Sequence, residues 1–147
     1  MRLLLATENQ GKLREMRTAL PDNFEIVLPS ELGIIVDVEE TGETFEENAR
    51  IKAENACRLS GLPAVADDSG LCVDALGGAP GVASKRFGPS ELQRNEMLLE
   101  ILGDTEQRSA KFVSVVVCRF PNGDELSASG ECSGEIMREM RGANGFG

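Results

Sequence analysis

An α/β fold built on a mixed sheet is the expectation, and three observations carry it. Short apolar runs of strand length alternate with stretches whose apolar residues recur at helical period. A capping signature, Thr44-Phe45-Glu46-Glu47, opens the longest helical stretch. A valine-rich run then ends in Pro121-Asn122-Gly123-Asp124, whose Asn-Gly pair suits a type I′ hairpin turn and so adds an antiparallel pair.

Taken in order, Arg2 to Ala6 reads as a short buried strand, followed by a helix from about Lys12 to Leu20 with Leu13, Met16, Ala19 and Leu20 on one face. Pro21-Asp22-Asn23 ends that helix, and Phe24 to Leu28 reads as a second strand. Pro29 to Thr41 is loop-like and acidic at its end. The capped helix runs to about Ser60, where Gly61 and Pro63 stop it. Ala64 to Ala66 is extended and leads into Asp67-Asp68-Ser69-Gly70, a sequence equally suited to a turn. Leu71 to Ala75 is extended again, Gly77 to Gly81 is a turn-rich loop, and Pro89 to Leu102 is helical. Lys111 to Phe120 and Glu125 to Met137 form the hairpin strands, the second weakened by glycine and serine.

Composition narrows the function. The 147 residues suit one domain that buries roughly 70% of its unfolded surface. Neither a membrane span nor a signal peptide is evident, so a cytoplasmic protein is expected. A net charge of -10 argues against a nucleic-acid or anionic-membrane partner, while leaving a small phosphorylated ligand open. Histidine is absent and the four cysteines are dispersed, which removes zinc sites and histidine-based triads. Acid–base chemistry must come from carboxylates or lysines, and a metal would be a hard cation held by oxygen.

Several segments could carry such chemistry. The strand-to-helix turn Thr7-Glu8-Asn9-Gln10-Gly11-Lys12 offers amides, a hydroxyl, an ammonium and a helix N-terminus to a phosphate, or else a plain Asn9 cap. The run Asp37-Val38-Glu39-Glu40-Thr41-Gly42, followed by Lys52, could hold Mg²⁺ or be a solvated loop. In Asp67-Asp68, strand alternation would send the two carboxylates to opposite sides, one to a ligand and one to tie down the chain. Ser84, Lys85 and Arg86 beside the glycine loop could face anionic oxygens. Phe146, between Gly145 and Gly147, could offer its ring to a planar base.

The order of these blocks is more specific than any one of them. TENQGK, EETGETFEENARIKAENA, ADDSGLCVDALGGAPGVASKRF, AKF, GECSGEI and GANGFG occur in sequence along nearly the whole chain. Together they resemble the inosine triphosphate pyrophosphatase family, with its T-x-N-x-x-K turn, its E-E-T-G-x-T-F-x-E-N-A block, its A-D-D-S-G-L block and its G-x-G-G-F-G-Y-D-P motif. The resemblance implies an elongated mixed sheet flanked by helices, two lobes with a substrate cleft between them, and a homodimer. It also implies Mg²⁺-dependent hydrolysis of inosine, deoxyinosine and xanthosine triphosphates to the monophosphate and pyrophosphate. Carried onto this sequence, it makes Thr7, Glu8, Asn9, Gln10, Gly11, Lys12 and Lys52 phosphate-binding, with Ser69 also touching substrate. Glu39 and Asp68 become metal ligands, with Glu40 as the alternative to Glu39, and Asp68 also the general base. Phe146 and Gly147 fall to the base.

The sequence departs from the family pattern at its end. It stops at Gly147, inside Phe-Gly-Tyr-Asp-Pro, so the resemblance implies a C-terminally truncated domain that lacks a later aspartate, a lysine and a Ser-His-Arg segment. Such a loss would expose apolar sheet surface. A nucleotide-binding protein without turnover is accordingly the alternative to the enzyme.

Overall fold

A computed structural model describes residues 1–7 and 9–142. Five strands form one sheet in the order β2-β1-β3-β4-β5: β1 (Arg2–Leu5), β2 (Glu25–Val27), β3 (Ala64–Val73), β4 (Ser109–Arg119) and β5 (Glu125–Glu135). Three α-helices accompany them, α1 (Gln10–Ala19), α2 (Phe45–Ser60) and α3 (Glu91–Leu102). β1 runs parallel to both β2 and β3. Val65 shares a core cluster with Val116 and Cys118, near the end of β4, while Val73 shares another with Ala110, near its start, so β4 runs antiparallel to β3. The sheet is therefore mixed, as the sequence predicts. The described residues cluster in two compact units, one of Met1–Asp68 with Val115–Ser129, the other of Ser69–Ser114 with the stretch from Gly130 onward.

In the first unit, two-residue alternation sorts the core onto the two faces of the sheet. Leu3, Leu5 and Val65 meet Leu13 of α1 on one face. Leu4 and Ala64 meet Ala56 and Cys57 of α2 on the other. α2 presents Ala49, Ala53 and Ala56, all fully buried, and these small side chains let its backbone lie close to the sheet. Thr44 caps it as expected: its hydroxyl accepts from the Glu47 amide, and the Glu47 carboxylate accepts from the amides of Glu43 and Thr44. Gly61 ends it in the left-handed region, at φ 67°. In the second unit, Leu71, Val73, Leu98, Leu102 and Ala110 form the core, and Arg108 donates to the carbonyls of Gly103, Thr105, Ile136 and Met137.

Two expectations need correction, and one open reading is decided. Asp67-Asp68-Ser69-Gly70 is strand rather than turn; β3 runs through it without a break, because neighbouring strands pair with it and override the turn-like composition. α1 starts two residues earlier than expected, which puts Lys12 in its first turn. The hairpin forms, but not through a type I′ turn. The Gly123 amide bonds to the Phe120 carbonyl across Pro121 and Asn122, and only Gly123 has positive φ, at 95°. A type I′ turn centred on Asn122-Gly123 would be closed by a Pro121–Asp124 pair, and proline has no N–H to give it; the pair closes at Phe120 instead, as a turn followed by a glycine bulge. β5 is almost wholly exposed, yet mostly serine, glycine and glutamate, with Leu126 its large exposed apolar side chain.

Candidate active site

The chain passes from β1 to β2 on one side and then to β3 on the other. β1 and β3 are thus the strands at which the topology reverses, and in open α/β sheets ligands bind beyond the carboxyl ends of such strands. The register pairs Leu4 with Ala64 and Leu5 with Val65. The turn after β1 therefore lies beside Asp67 and Asp68, which continue β3 past the end of its neighbour.

That turn is organised from within. Thr7 Oγ1 accepts from the Asn9 amide at 3.1 Å. Asn9 is the N-cap of α1, its Oδ1 accepting from the amides of Gly11 at 2.8 Å and Lys12 at 3.3 Å. A Cβ on Gly11 would lie 3.0 Å from that same oxygen, so glycine there makes room for the cap. Gln10 is the first helical residue and is exposed. Lys12 reaches from the first turn to Asp67, Nζ to Oδ2 at 2.5 Å. Asn9 thus performs the plain capping role through its Oδ1.

Asp68 points to the opposite face of β3, as alternation requires, and meets α2 and the acidic loop. Lys52 Nζ lies 3.6 Å from Asp68 Oδ1 and 3.2 Å from Glu40 Oε2, so two carboxylates converge on one ammonium. Asn48 Nδ2 donates to Asp68 Oδ2 at 3.2 Å. Glu40, not Glu39, is brought to Lys52, and Glu39 is exposed. The choice follows from the extended loop, whose burial alternates so that Val36, Val38, Glu40 and Gly42 are the more buried positions. Ile34 and Val36 pack on the α2 core, and Asn55 Nδ2 holds the Val36 carbonyl at 3.3 Å. The spacing Ile34-Val36-Val38-Glu40 was the signal available in the sequence. Asn48 belongs to this cluster and Asp67 to the Lys12 turn on the other face of β3, although sequence reasoning did not count either among the site residues.

Ser69 is exposed on β3, within the second unit. Ser84 does not face a ligand; it is buried, accepting from the Leu71 amide at 2.9 Å and donating to the Gly81 carbonyl at 2.6 Å. Lys85 and Arg86 are exposed. Glu8, Phe146 and Gly147 lie outside the described residues. The four cysteines are unpaired, and no helix among the described residues is long and apolar enough to cross a membrane. Burial raises the thiol pKa of Cys57, Cys72 and Cys118.

The sequence profile of the Ham1 family matches residues 3–147. The dITP/XTP pyrophosphatase of Haemophilus ducreyi is 48% identical over 154 residues, which cover 99% of this chain and 78% of that protein. The dITP/XTP pyrophosphatase of Symbiobacterium thermophilum is 49% identical, over 99% of this chain and 75% of its own length. Among solved structures, a HAM1 protein from Coxiella burnetii superposes with a TM-score of 0.90 at 42% identity, covering all of this chain and 78% of its own. The Staphylococcus aureus Ham1 protein gives 0.89 at 41%, with the same coverage. The chain belongs to the Ham1 family.

Proposed function

We propose that this chain hydrolyses inosine, deoxyinosine and xanthosine triphosphates to the monophosphate and pyrophosphate. The observation that carries the reading is the convergence of Glu40 and Asp68 on Lys52, next to the capped turn that bears Lys12. The names of the relatives, dITP/XTP pyrophosphatase, point the same way.

The residues divide the work. The amides at the start of α1, with Thr7, Asn9 and Lys12, bind the triphosphate, and the helix N-terminus adds its partial positive charge. Asp67 holds Lys12 in the nucleotide-free chain and gives it up to phosphate. Lys52 neutralises charge that develops on the departing pyrophosphate. Asp68 accepts the proton of the attacking water as the anhydride bond between the α- and β-phosphates breaks. Mg²⁺ fits the site, because two carboxylates already gather about a cation and this ion needs only one or two, with phosphate and water completing its shell. Glu40 and Asp68 would hold it, and it would supply further neutralisation of phosphate charge. Phe146 stacks on the purine, and rejection of a 6-amino base follows from polar groups left unpaired. The reading includes a homodimer.

Product analysis tests the assignment. Inosine triphosphate should give monophosphate and pyrophosphate in equal amounts, with adenosine triphosphate turned over far more slowly. Orthophosphate as the product would refute it. So would nucleotide binding, seen as a Mg²⁺-dependent rise in melting temperature, without any product.

A further inference from the structure

We infer that Asn48 is a positioning residue that sets the Asp68 carboxylate and the Glu40–Gly42 loop in register with one another. The inference rests on the proposed hydrolysis. Asn48 is 1% exposed and bonds at both ends of its amide. Its Oδ1 accepts from the Gly42 amide at 2.8 Å, and its Nδ2 donates to Asp68 Oδ2 at 3.2 Å. The orientation is fixed by chemistry: a backbone N–H can only donate, so the oxygen must face Gly42 and the NH₂ must face the carboxylate.

The local chain is shaped for this bond. A Cβ on Gly42 would come within 2.7 Å of Asn48 Oδ1 and 2.9 Å of the Asn48 amide, so only glycine lets the loop approach. Asn48 lies one turn before Lys52 on α2, on the face that carries buried Ala49 and Ala53. One rigid helix thus presents both the amide that orients Asp68 and the ammonium shared by Asp68 and Glu40. Through Gly42, two residues beyond Glu40, the same amide fixes where the second carboxylate sits. An ångström of misplacement at such a group costs about 100-fold in rate.

Three variants test this: Asn48→Ala, which removes both bonds; Asn48→Asp, which keeps the acceptor for Gly42 and loses the donor to Asp68; and Gly42→Ala, which displaces the amide from outside. Turnover of inosine triphosphate, melting temperature, and calorimetric Mg²⁺ binding to nucleotide-free protein are measured for each. Folded variants should lose about 100-fold in kcat with KM little changed. Mg²⁺ affinity should fall in Asn48→Ala. Folded variants with wild-type kcat and wild-type Mg²⁺ affinity would overturn the inference, and so would failure of all three to fold, which would make the amide a stability element. An inactive wild type would instead refute the hydrolase reading. The Mg²⁺ titration would then decide, equal affinity in wild type and Asn48→Ala overturning the role of Asn48.

Discussion

Replacing Lys52 by methionine keeps most of its length and removes the charge that Glu40 and Asp68 share. At 3.2 and 3.6 Å, each pair carries a gross attraction of about 5 kcal/mol at the effective dielectric of ~20 that suits such sites. All three side chains are less than one third exposed, so solvent screens the pairs only in part. Desolvation of the ammonium cancels much of the gross figure, but removal of one partner leaves two carboxylates facing each other, and a net loss of about 2–3 kcal/mol is expected. For a chain of this size that lowers the melting temperature by about 6–9 °C. The assay is a circular-dichroism melt of wild type and Lys52→Met, in chelator and in saturating Mg²⁺. Mg²⁺ at about 100 times its Kd contributes about 2.7 kcal/mol, so the ion should recover much of the deficit in the variant, whose carboxylates no longer have a competing ammonium. A variant that melts with wild type in chelator would refute the electrostatic account of this cluster. A full deficit that Mg²⁺ leaves untouched would refute the placement of the ion.

Thr44→Ala removes the hydroxyl that accepts from Glu47 and should cost about 1 kcal/mol, read as a small drop in the denaturant midpoint. Equal midpoints would mean that the Glu47 carboxylate caps the helix unaided. The thiols of Cys57, Cys72 and Cys118 have pKa values raised by burial, so the thiolate fraction of each stays low until the pH rises above the usual thiol range. A thiol reagent at neutral pH should therefore modify exposed Cys132 first, and Cys132→Ser should abolish the fast phase. A fast phase that survives that substitution would contradict the burial pattern.

Much of the fold could be read from local signals, and the departures have physical causes. α2 begins after Thr44 and ends before Gly61, as its capping chemistry dictates. The opposite placement of Asp67 and Asp68 follows from strand alternation, and the structure gives each its own lysine, Lys12 and Lys52. The continuity of β3 was not legible, because Asp-Asp-Ser-Gly is turn-like until neighbouring strands supply its pairing. The hairpin was legible and its turn type was not, since Pro121 governs the geometry that Asn122-Gly123 alone suggests otherwise. Asn48 was invisible as a site residue because its partners stand six and twenty positions away, one a backbone amide that carries no sequence signature. Glu40 rather than Glu39 reaches Lys52 because of the alternation of an extended loop with no regular secondary structure, which no helix or strand pattern announces.

The most direct test compares pyrophosphate release from inosine triphosphate by the wild-type chain and by Asp68→Asn, each with and without Mg²⁺. The account predicts Mg²⁺-dependent release by the wild type and a fall of about 1000-fold in the variant, the loss expected when a general base is removed. Comparable turnover by Asp68→Asn, or release that ignores Mg²⁺, would contradict it.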